Sequence, residues 1–456
     1  MFLAVILSLF LWLRYLRKKK IVFLSIAAVS LSTALLIVVT SLFTGFISAF
    51  EQAAVYAMGD VVVAPPVKFS RYPEFIEQLE KLSAVEAATA SLSGQGLLWL
   101  GPGNIRGAKV WGIDASTRAD VTGLKKCLLK QKDSAGQASF DFGSESGSVN
   151  GMGGFIGIAV AAEPDDKTDE YDFEKIEREM IGSKAVLITG MAKESDDGGS
   201  TPGFDRKNIR FTVTDIAYTG VYHLDKTFIY LPIERLQKVL YPEEVLPVAD
   251  QVQIKIAEGV SGESAIAQIR GVWEDFASKR LEWNDYLINY TEIETSKQMQ
   301  RQYVAELNKQ MGVLLLIFSV VSFGVVLLVF CIFYMIVRLK QKDIAIVKSC
   351  GAGSGSVALT FLGFGAVAGT VGSGIGIAFG YVVTRNINTI EDWIRIVFGL
   401  KLWKSSVYMF SQIPNEVNWG FVIMIVITAV IAVSFGSLLP AILAARTRPV
   451  EILRFE

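Results

Sequence analysis

Four stretches of this 456-residue chain carry no Asp, Glu, Lys or Arg: Ile21–Phe50, Met311–Val337, Ser349–Thr384 and Asn418–Ala445, of 30, 27, 36 and 28 residues. A helix rises 1.5 Å per residue, so each can cross a hydrocarbon core of ~30 Å. A single water-soluble globule is thereby excluded. All 44 basic and 45 acidic side chains fall in the remaining residues, at the density of an ordinary soluble domain, which excludes a purely membrane-buried protein as well. The formal net charge of −1 leaves no basic excess for phosphate contacts, so no nucleic-acid partner is expected.

Basic residues set the orientation. Arg14, Arg17, Lys18, Lys19 and Lys20 precede the first span, Arg338, Lys340, Lys342 and Lys348 follow the second, and Arg446, Arg448 and Arg454 follow the fourth. Excess Lys and Arg marks cytoplasmic segments. The expected order is an interfacial N-terminal helix (1–20), a first span (21–50), an outer block (51–310), a second span (311–337) and a cytoplasmic coupling segment (338–353). A third span (354–384), an outer loop (385–417), a fourth span (418–445) and a cytoplasmic tail (446–456) complete it. Both termini then face the cytoplasm. Met1–Leu13 could instead be a secretory signal core, but its charges follow the apolar run and no small-residue cleavage site is apparent; a flat interfacial helix fits it better.

The three cysteines are Cys127 in the outer block, Cys331 within the second span and Cys350 at its cytoplasmic exit. No intrachain disulfide can join compartments, so the outer block needs its own core. Its pattern alternates α and β. Strands are expected at 60–64, 96–100, 108–113, 185–189, 210–216, 227–231 and 251–256, with helices at 73–82, 233–240 and 263–278. The fold class read from this is an α-helical membrane domain of four transmembrane helices with a large α+β extracytoplasmic domain in two subdomains. Lys125–Met180, rich in Gly, Ser, Asp and Glu, reads as a flexible insertion without a core of its own. The polar run Thr291–Gln310 continues without Pro or Gly into the second span, and the first span exceeds the hydrocarbon thickness, so both helices are expected to project as stalks.

Catalytic constellations are scarce. His223 is the only histidine and has no nucleophile nearby in sequence, so it reads as structural. The acidic group Asp165, Asp166, Asp169, Glu170 and Asp172 lacks the glycine and spacing of a calcium loop and reads as a solvated run. Leu92-Ser-Gly-Gln-Gly96 resembles a scrambled ATPase signature, yet no Gly-Lys dipeptide exists for a phosphate-cradling loop, and a strand start with a glycine turn is expected. No metal or cofactor is expected in this chain.

Four features carry information. Lys342, Asp343, Ile344, Ile346, Val347 and Lys348, closed by Gly351, make a short amphipathic helix that either lies on lipid or docks into a cytoplasmic ATPase, with Asp343 and Lys348 setting register. Gly365, Gly369, Gly372, Gly376 and Gly380 mark a close-packing or sliding face of the third span, the last three sharing one side. Pro440 is expected to kink the fourth span. Phe43, Phe46 and Phe50 on the first span, with Leu314, Phe318 and Val321 on the second, form stripes that could face lipid, pack helices or line a wall for acyl chains.

Lys342–Ala352 resembles the Arg-Glu-Ile-Ala-Ile-Leu-Arg-x-x-Gly-Ala motif of FtsX/MacB-type ABC permeases, and Ala444–Glu456 is similar to their C-terminal tail. Leu13–Arg17, Gly45-Phe46, Thr219-Gly-x-Tyr-x-x-Asp225 through Tyr230, Val407-Tyr408 and Ile413-Pro414 resemble the lipoprotein-releasing (LolC/LolE-type) branch. The resemblance implies a MacB-type periplasmic core and a dimer, with a second copy or a paralogue, clamped to a cytoplasmic ABC ATPase dimer that binds ATP and Mg. It further implies lipoprotein cargo held among membrane lipids in a cavity walled by Phe43, Phe46, Phe50, Leu314, Phe318 and Val321, and transfer to a periplasmic lipoprotein carrier. A carrier-docking hook would fall at Thr201, Pro202, Gly203 and Phe204. MacB-like mechanotransmission and FtsX-like control of a cell-wall hydrolase are the alternatives within the superfamily.

Overall fold

The computed structural model describes residues 20–141, 152–165, 168–193, 203–399, 401–404 and 410–446. They form two compact units, one of residues 1–48, 304–390 and 413–456 and one of residues 49–303 and 391–412. The N-terminal helix (1–20) and the C-terminal tail lie almost wholly outside the described residues, as do Val407 and Tyr408.

Among the described residues, four helices are long and apolar enough to cross a membrane. They run Lys20–Met58, Arg301–Leu339, Ser354–Arg385 and Trp419–Arg446, and are called the first to fourth spans. The first two have 39 residues each, about 58 Å of helix, longer than a hydrocarbon core; the second starts only at Arg301, because Glu292–Thr295 is a strand and not part of the helical run expected from Thr291. Pro440 is buried inside the fourth, which continues through it as one helix.

The interior of this unit is built from small and branched residues. Val22, Ile26 and Val29 of the first span meet Val329, Ile332, Phe333 and Ile336 of the second, with Phe364, Ala368 and Val433 from the other two. Phe333 and Phe364 meet edge to face at 5.5 Å. Apart from Leu307, the buried residues of the second span lie in its last turns; Val313, Leu316, Ile317, Val320, Phe323 and Leu327 are exposed along the rest.

In the other unit, eleven strands are described: β1 (Val61–Ala64), β2 (Phe69–Ser70), β3 (Val85–Trp99), β4 (Ile105–Ile113), β5 (Gly153–Gly157), β6 (Lys184–Lys193), β7 (Gly203–Ala217), β8 (Phe228–Pro232), β9 (Val248–Ala249), β10 (Gln251–Ile256) and β11 (Glu292–Thr295). Nine form one sheet in the order β11-β1-β10-β3-β4-β8-β5-β7-β6, with β6 also pairing back to β3. Fifteen-residue β3 makes this possible. Its first half pairs with β10 from Val85↔Ile256 to Ser91↔Gln251, and its last residues pair with β6 from Gly96↔Thr189 to Trp99↔Val186. On its other edge β4 pairs from Ser91↔Ile113 to Trp99↔Ile105. The strands from β3 through β4, β8, β5, β7 and β6 therefore close a ring, with an open wing of β10, β1 and β11. Gly96 sits on the seam, where a Cβ would come 2.5 Å from the Ile188 carbonyl oxygen. The Leu92–Gly96 segment is thus mid-strand rather than a turn, and its glycine admits a neighbouring backbone.

One continuous sheet runs through the domain where two subdomains were expected. Its main core joins both parts: Phe69, Phe75, Trp273 and Phe276 pack under the wing, while Ile156, Leu187, Phe211, Val213, Ile229 and Leu231 fill the ring. The helices follow the sequence pattern closely, Ile233–Leu240 with Ile233, Leu236 and Leu240 buried, and Gly262–Lys279 with Ala265, Ile269, Trp273 and Phe276 buried. Local caps fix the starts of two other helices, Ala115–Val121 and Ser296–Met299. Asp114 accepts from the Ser116 and Thr117 amides, and Thr295 with Gln298 forms a reciprocal capping box.

The 125–180 insertion is a correction. Its described part supplies β5, buried at every residue and paired with β7 and β8, and the helix Phe173–Met180. Leu128, Ala138, Phe140 and Phe155 join Trp111, Phe228 and Tyr230 in a second apolar cluster, with the Phe140 and Phe155 rings stacked at 4.5 Å. Three glycines in the five residues of β5 hid it from a periodicity reading. A Cβ at Gly157 would lie 2.1 Å from the Asp225 carbonyl oxygen, so the close approach there needs glycine. The outer loop 385–417 likewise contains a helix, Ile387–Phe398.

Candidate functional site: helix seams and the coupling helix

The third span is the hub of its unit, and its glycines work on two sides. At Gly372 a Cβ would come 2.9 Å from Val29 Cβ, and at Gly376 2.8 Å from Thr33 Cβ and the Ser30 oxygen. Gly380 faces Ala34 and Ile37, so the three glycines grouped in the sequence all meet the first span. Gly365 and Gly369 instead meet Ser437, Val430 and Val433 of the fourth. Side chains this small let backbones approach where apolar burial supplies little drive in lipid. A hydroxyl pair, Ser32 with Ser322 at 2.9 Å, joins the first and second spans.

The stripe residues are placed unevenly. Phe43 and Phe46 are half-buried, as are Leu314 and Phe318, whereas Val321 is exposed. Phe50 falls in the sheet-containing unit, and its ring stacks on Tyr303 at 4.4 Å, so one face of that ring is covered by its own chain. Beside Phe46, Gly45 is held against the backbone of Asn415, where a Cβ would come within 2.7 Å.

Between the second and third spans lies the helix Gln341–Ser349. Its apolar residues divide. Ile344 is buried with Val337, Val357 and Ala444, so it fastens the helix to its own unit and is not free to dock, contrary to the expectation for it. Ile346 and Val347 are each 52% exposed. Asp343 pairs with Lys340 on its own first turn, and Lys348 donates to the Ala445 carbonyl at 2.7 Å. Those two charges hold the helix in place where a register-setting rim was expected. Gly351 ends it at φ +97°, a left-handed position that suits glycine.

Of the hook, Thr201 and Pro202 lie outside the described residues, while Gly203 and Phe204 open β7 opposite Lys193 and Ala192. The acidic run is taken up locally. Asp165 accepts from the Thr168 amide and Asp172 caps Phe173–Met180, while Glu170 pairs with Arg395 at 2.8 Å. His223 is exposed on the short helix Tyr222–Thr227. Among the described residues no group of His, Cys, Asp and Glu is disposed to hold a metal.

Sequence reading missed a polar knot near residues 49–58. Arg118, 1% exposed, donates to the Gln253 side chain at 2.6 Å and to the Ala57 carbonyl at 2.5 Å, and lies 4.6 Å from the Trp111 ring. A cation at the last carbonyls of a helix meets its negative end, and burial brings the guanidinium down to about 10. A cavity of about 270 Å³ adjoins it, lined in part by Tyr56, Cys127, Tyr230 and Phe410. Burial, with the Asp225 charge nearby, pushes the Cys127 thiol up to about 11 and leaves it a poor nucleophile. Asp225 itself accepts from the Thr219 amide and hydroxyl and from the Gly220 amide, yet burial still pushes its carboxyl up to about 7. The Thr219–Asp225 motif is therefore a self-closed turn. No signal in one sequence marks Arg118, since its partners stand 61 and 135 residues away.

Comparison with known proteins fits this arrangement. Residues 315–449, which take in the second span from Leu315 onward, the helix Gln341–Ser349 and the third and fourth spans, match the FtsX-like permease C-terminal family. The lipoprotein-releasing system transmembrane protein LolC of Neisseria meningitidis serogroup B is 26% identical over 97% of this chain and 98% of its own length. Residues 315–449 thus resemble an FtsX-like permease domain, within a chain that is similar from end to end to a LolC protein. The LolE protein of Haemophilus influenzae is 35% identical over 26% of this chain and 29% of its own length. Among solved structures, the periplasmic region of MacB from Actinobacillus actinomycetemcomitans aligns with 55% of this chain and 95% of itself, at 12% identity and a TM-score of 0.33.

Proposed function

We propose that this permease is the membrane-spanning, non-catalytic subunit of an ATP-driven transporter that withdraws lipoproteins from the outer leaflet of the inner membrane and passes them to a periplasmic carrier. End-to-end similarity to a lipoprotein-releasing LolC protein carries the reading. The basic clusters flanking the spans support cytoplasmic termini and a periplasmic sheet domain. ATP and Mg belong to a separate ATPase, because the sequence has no Gly-Lys dipeptide from which a phosphate loop could be built. Ile346 and Val347, the exposed apolar residues of the helix Gln341–Ser349, are the contacts assigned to that ATPase. A second copy or paralogue completes the cargo cavity, to which Phe43, Phe46, Leu314 and Phe318 contribute apolar wall; each CH₂ of an acyl chain buried there is worth about 0.8 kcal/mol.

Depletion of the permease tests this. Lipoproteins bound for the outer membrane should accumulate in the inner membrane, and unaltered sorting would overturn the assignment. Phe46→Glu should impair release at a normal level of folded protein, and unchanged release would remove Phe46 from the wall.

A further inference from the structure

The helix Ile387–Phe398 buries none of its residues, although it is strongly apolar on one side. Trp393, Ile396 and Val397, at i, i+3 and i+4, are 61%, 77% and 52% exposed. Phe398 and Leu402 extend the patch, at 64% and 58%. The polar side is engaged: Arg395 pairs with Glu170 at 2.8 Å and with Asp392 at 3.1 Å, Glu391 accepts from the Leu402 amide, and Lys401 donates to the Thr168 carbonyl at 2.6 Å. Five large apolar side chains turned toward water would be an aggregation hazard, so such a patch marks a contact surface.

We propose that this helix, with Leu402, is a membrane-surface element whose apolar side enters the acyl–headgroup boundary of the leaflet from which the third span emerges. Chain continuity chooses lipid over other occupants. Only Asn386 separates Ile387 from Arg385, the last residue of the third span, whose Ile375, Phe379 and Val382 are exposed along its outer half. The chain re-enters at Trp419, which stacks on Tyr381 at 6.0 Å, an aromatic pair of the kind found at membrane–water boundaries. A segment tethered at the surface by one span, with one apolar side, one charged side and a tryptophan on the apolar side, meets the requirements of an interfacial helix.

The inference rests on the spans crossing the bilayer, so the test includes a reporter for that. In a background with Cys127, Cys331 and Cys350 replaced by Ser, single cysteines at Ile396, Glu391 and Phe379 are labelled with an environment-sensitive fluorophore. The permease is placed in phosphatidylethanolamine/phosphatidylglycerol nanodiscs. Label at Ile396 should emit blue-shifted and be quenched at least threefold more by lipids brominated near the headgroup than label at Glu391, which should instead be quenched by aqueous iodide. A lipid-quenched Phe379 label with an iodide-quenched Ile396 label would overturn the proposal while leaving the spans intact, whereas an iodide-quenched Phe379 label would sink the membrane reading itself. Shielding of Ile396 from both quenchers, with disulfide-linked dimers through Ile396→Cys, would assign the patch to a second copy and overturn it too. In the unmodified chain, photolysis of a headgroup-region diazirine lipid should label residues 393–398; absence of label there, with label on the third span, is the equivalent negative result.

Discussion

The two units place their large apolar residues in opposite ways. In the sheet domain they are inside, with Phe69, Phe75, Phe155, Trp273 and Phe276 all fully buried. Among the spans, the enclosed positions include Ser25, Thr33, Ser41, Ser373 and Ser437 beside the glycines, while Phe23, Leu31, Leu316, Phe323, Ile423 and Phe435 point outward. The solvent explains the inversion. Water drives apolar area inward at about 25 cal/mol per Å², but a lipid tail is as apolar as leucine, so span association depends on close backbone contact and hydroxyl bonds.

This contrast can be broken at graded cost. The largest effect is expected for Trp273→Ala, which empties a site where Phe69 and Phe75 stand 5.3 and 5.2 Å away; urea unfolding should show a loss of about 3–5 kcal/mol. Next comes Gly376→Leu, which forces the first and third spans apart at a cost of about 1–3 kcal/mol and should lower the folded yield in membranes. Gly374→Leu, with open space around it, should leave the yield unchanged, and equal effects at the two positions would deny the seam.

Asp225 provides a pH test confined to the sheet domain. Its folded carboxyl sits at about 7, above the ordinary value of 3.8. Between those values the folded state holds a proton that the unfolded state has released. Stability therefore falls as pH rises through that window, by on the order of 1 kcal/mol per pH unit, and levels off above about 7. Thermal unfolding followed from pH 5 to 8 should show this decline, and Asp225→Asn should flatten it. The smallest effect on folding is expected for Ile346→Asp, within about 0.5 kcal/mol because the site is exposed, yet the ATPase should no longer copurify. Undiminished copurification would take the docking contact away from Ile346.

Legibility followed the length of each signal. Windows of 27 to 36 uncharged residues each fell on one of the four long apolar helices, and the three-residue apolar spacing of Ile233, Leu236 and Val239 marked a helix to its ends. Short or glycine-diluted elements were lost. β5 has five residues, three of them glycine, and Ile387–Phe398 was passed over because its charges made a loop of the whole stretch. In the coupling segment the sequence marked the helix but not its inner side. Ile344 and Ile346 look equivalent along the chain, yet only the first meets Val337, Val357 and Ala444.

From the amino-acid order alone came what depends on local composition: the four long apolar helices and the close packing of the third span's glycines. Tertiary structure decided what depends on distant partners. It split the glycines between two neighbouring spans, closed β3 onto β6, brought Arg118 to Ala57 and Gln253, and turned the supposed insertion into core. The physical reason is one of range, since hydropathy and helix periodicity act between neighbours in sequence, whereas seams, sheet closure and buried ion contacts join residues tens to hundreds of positions apart.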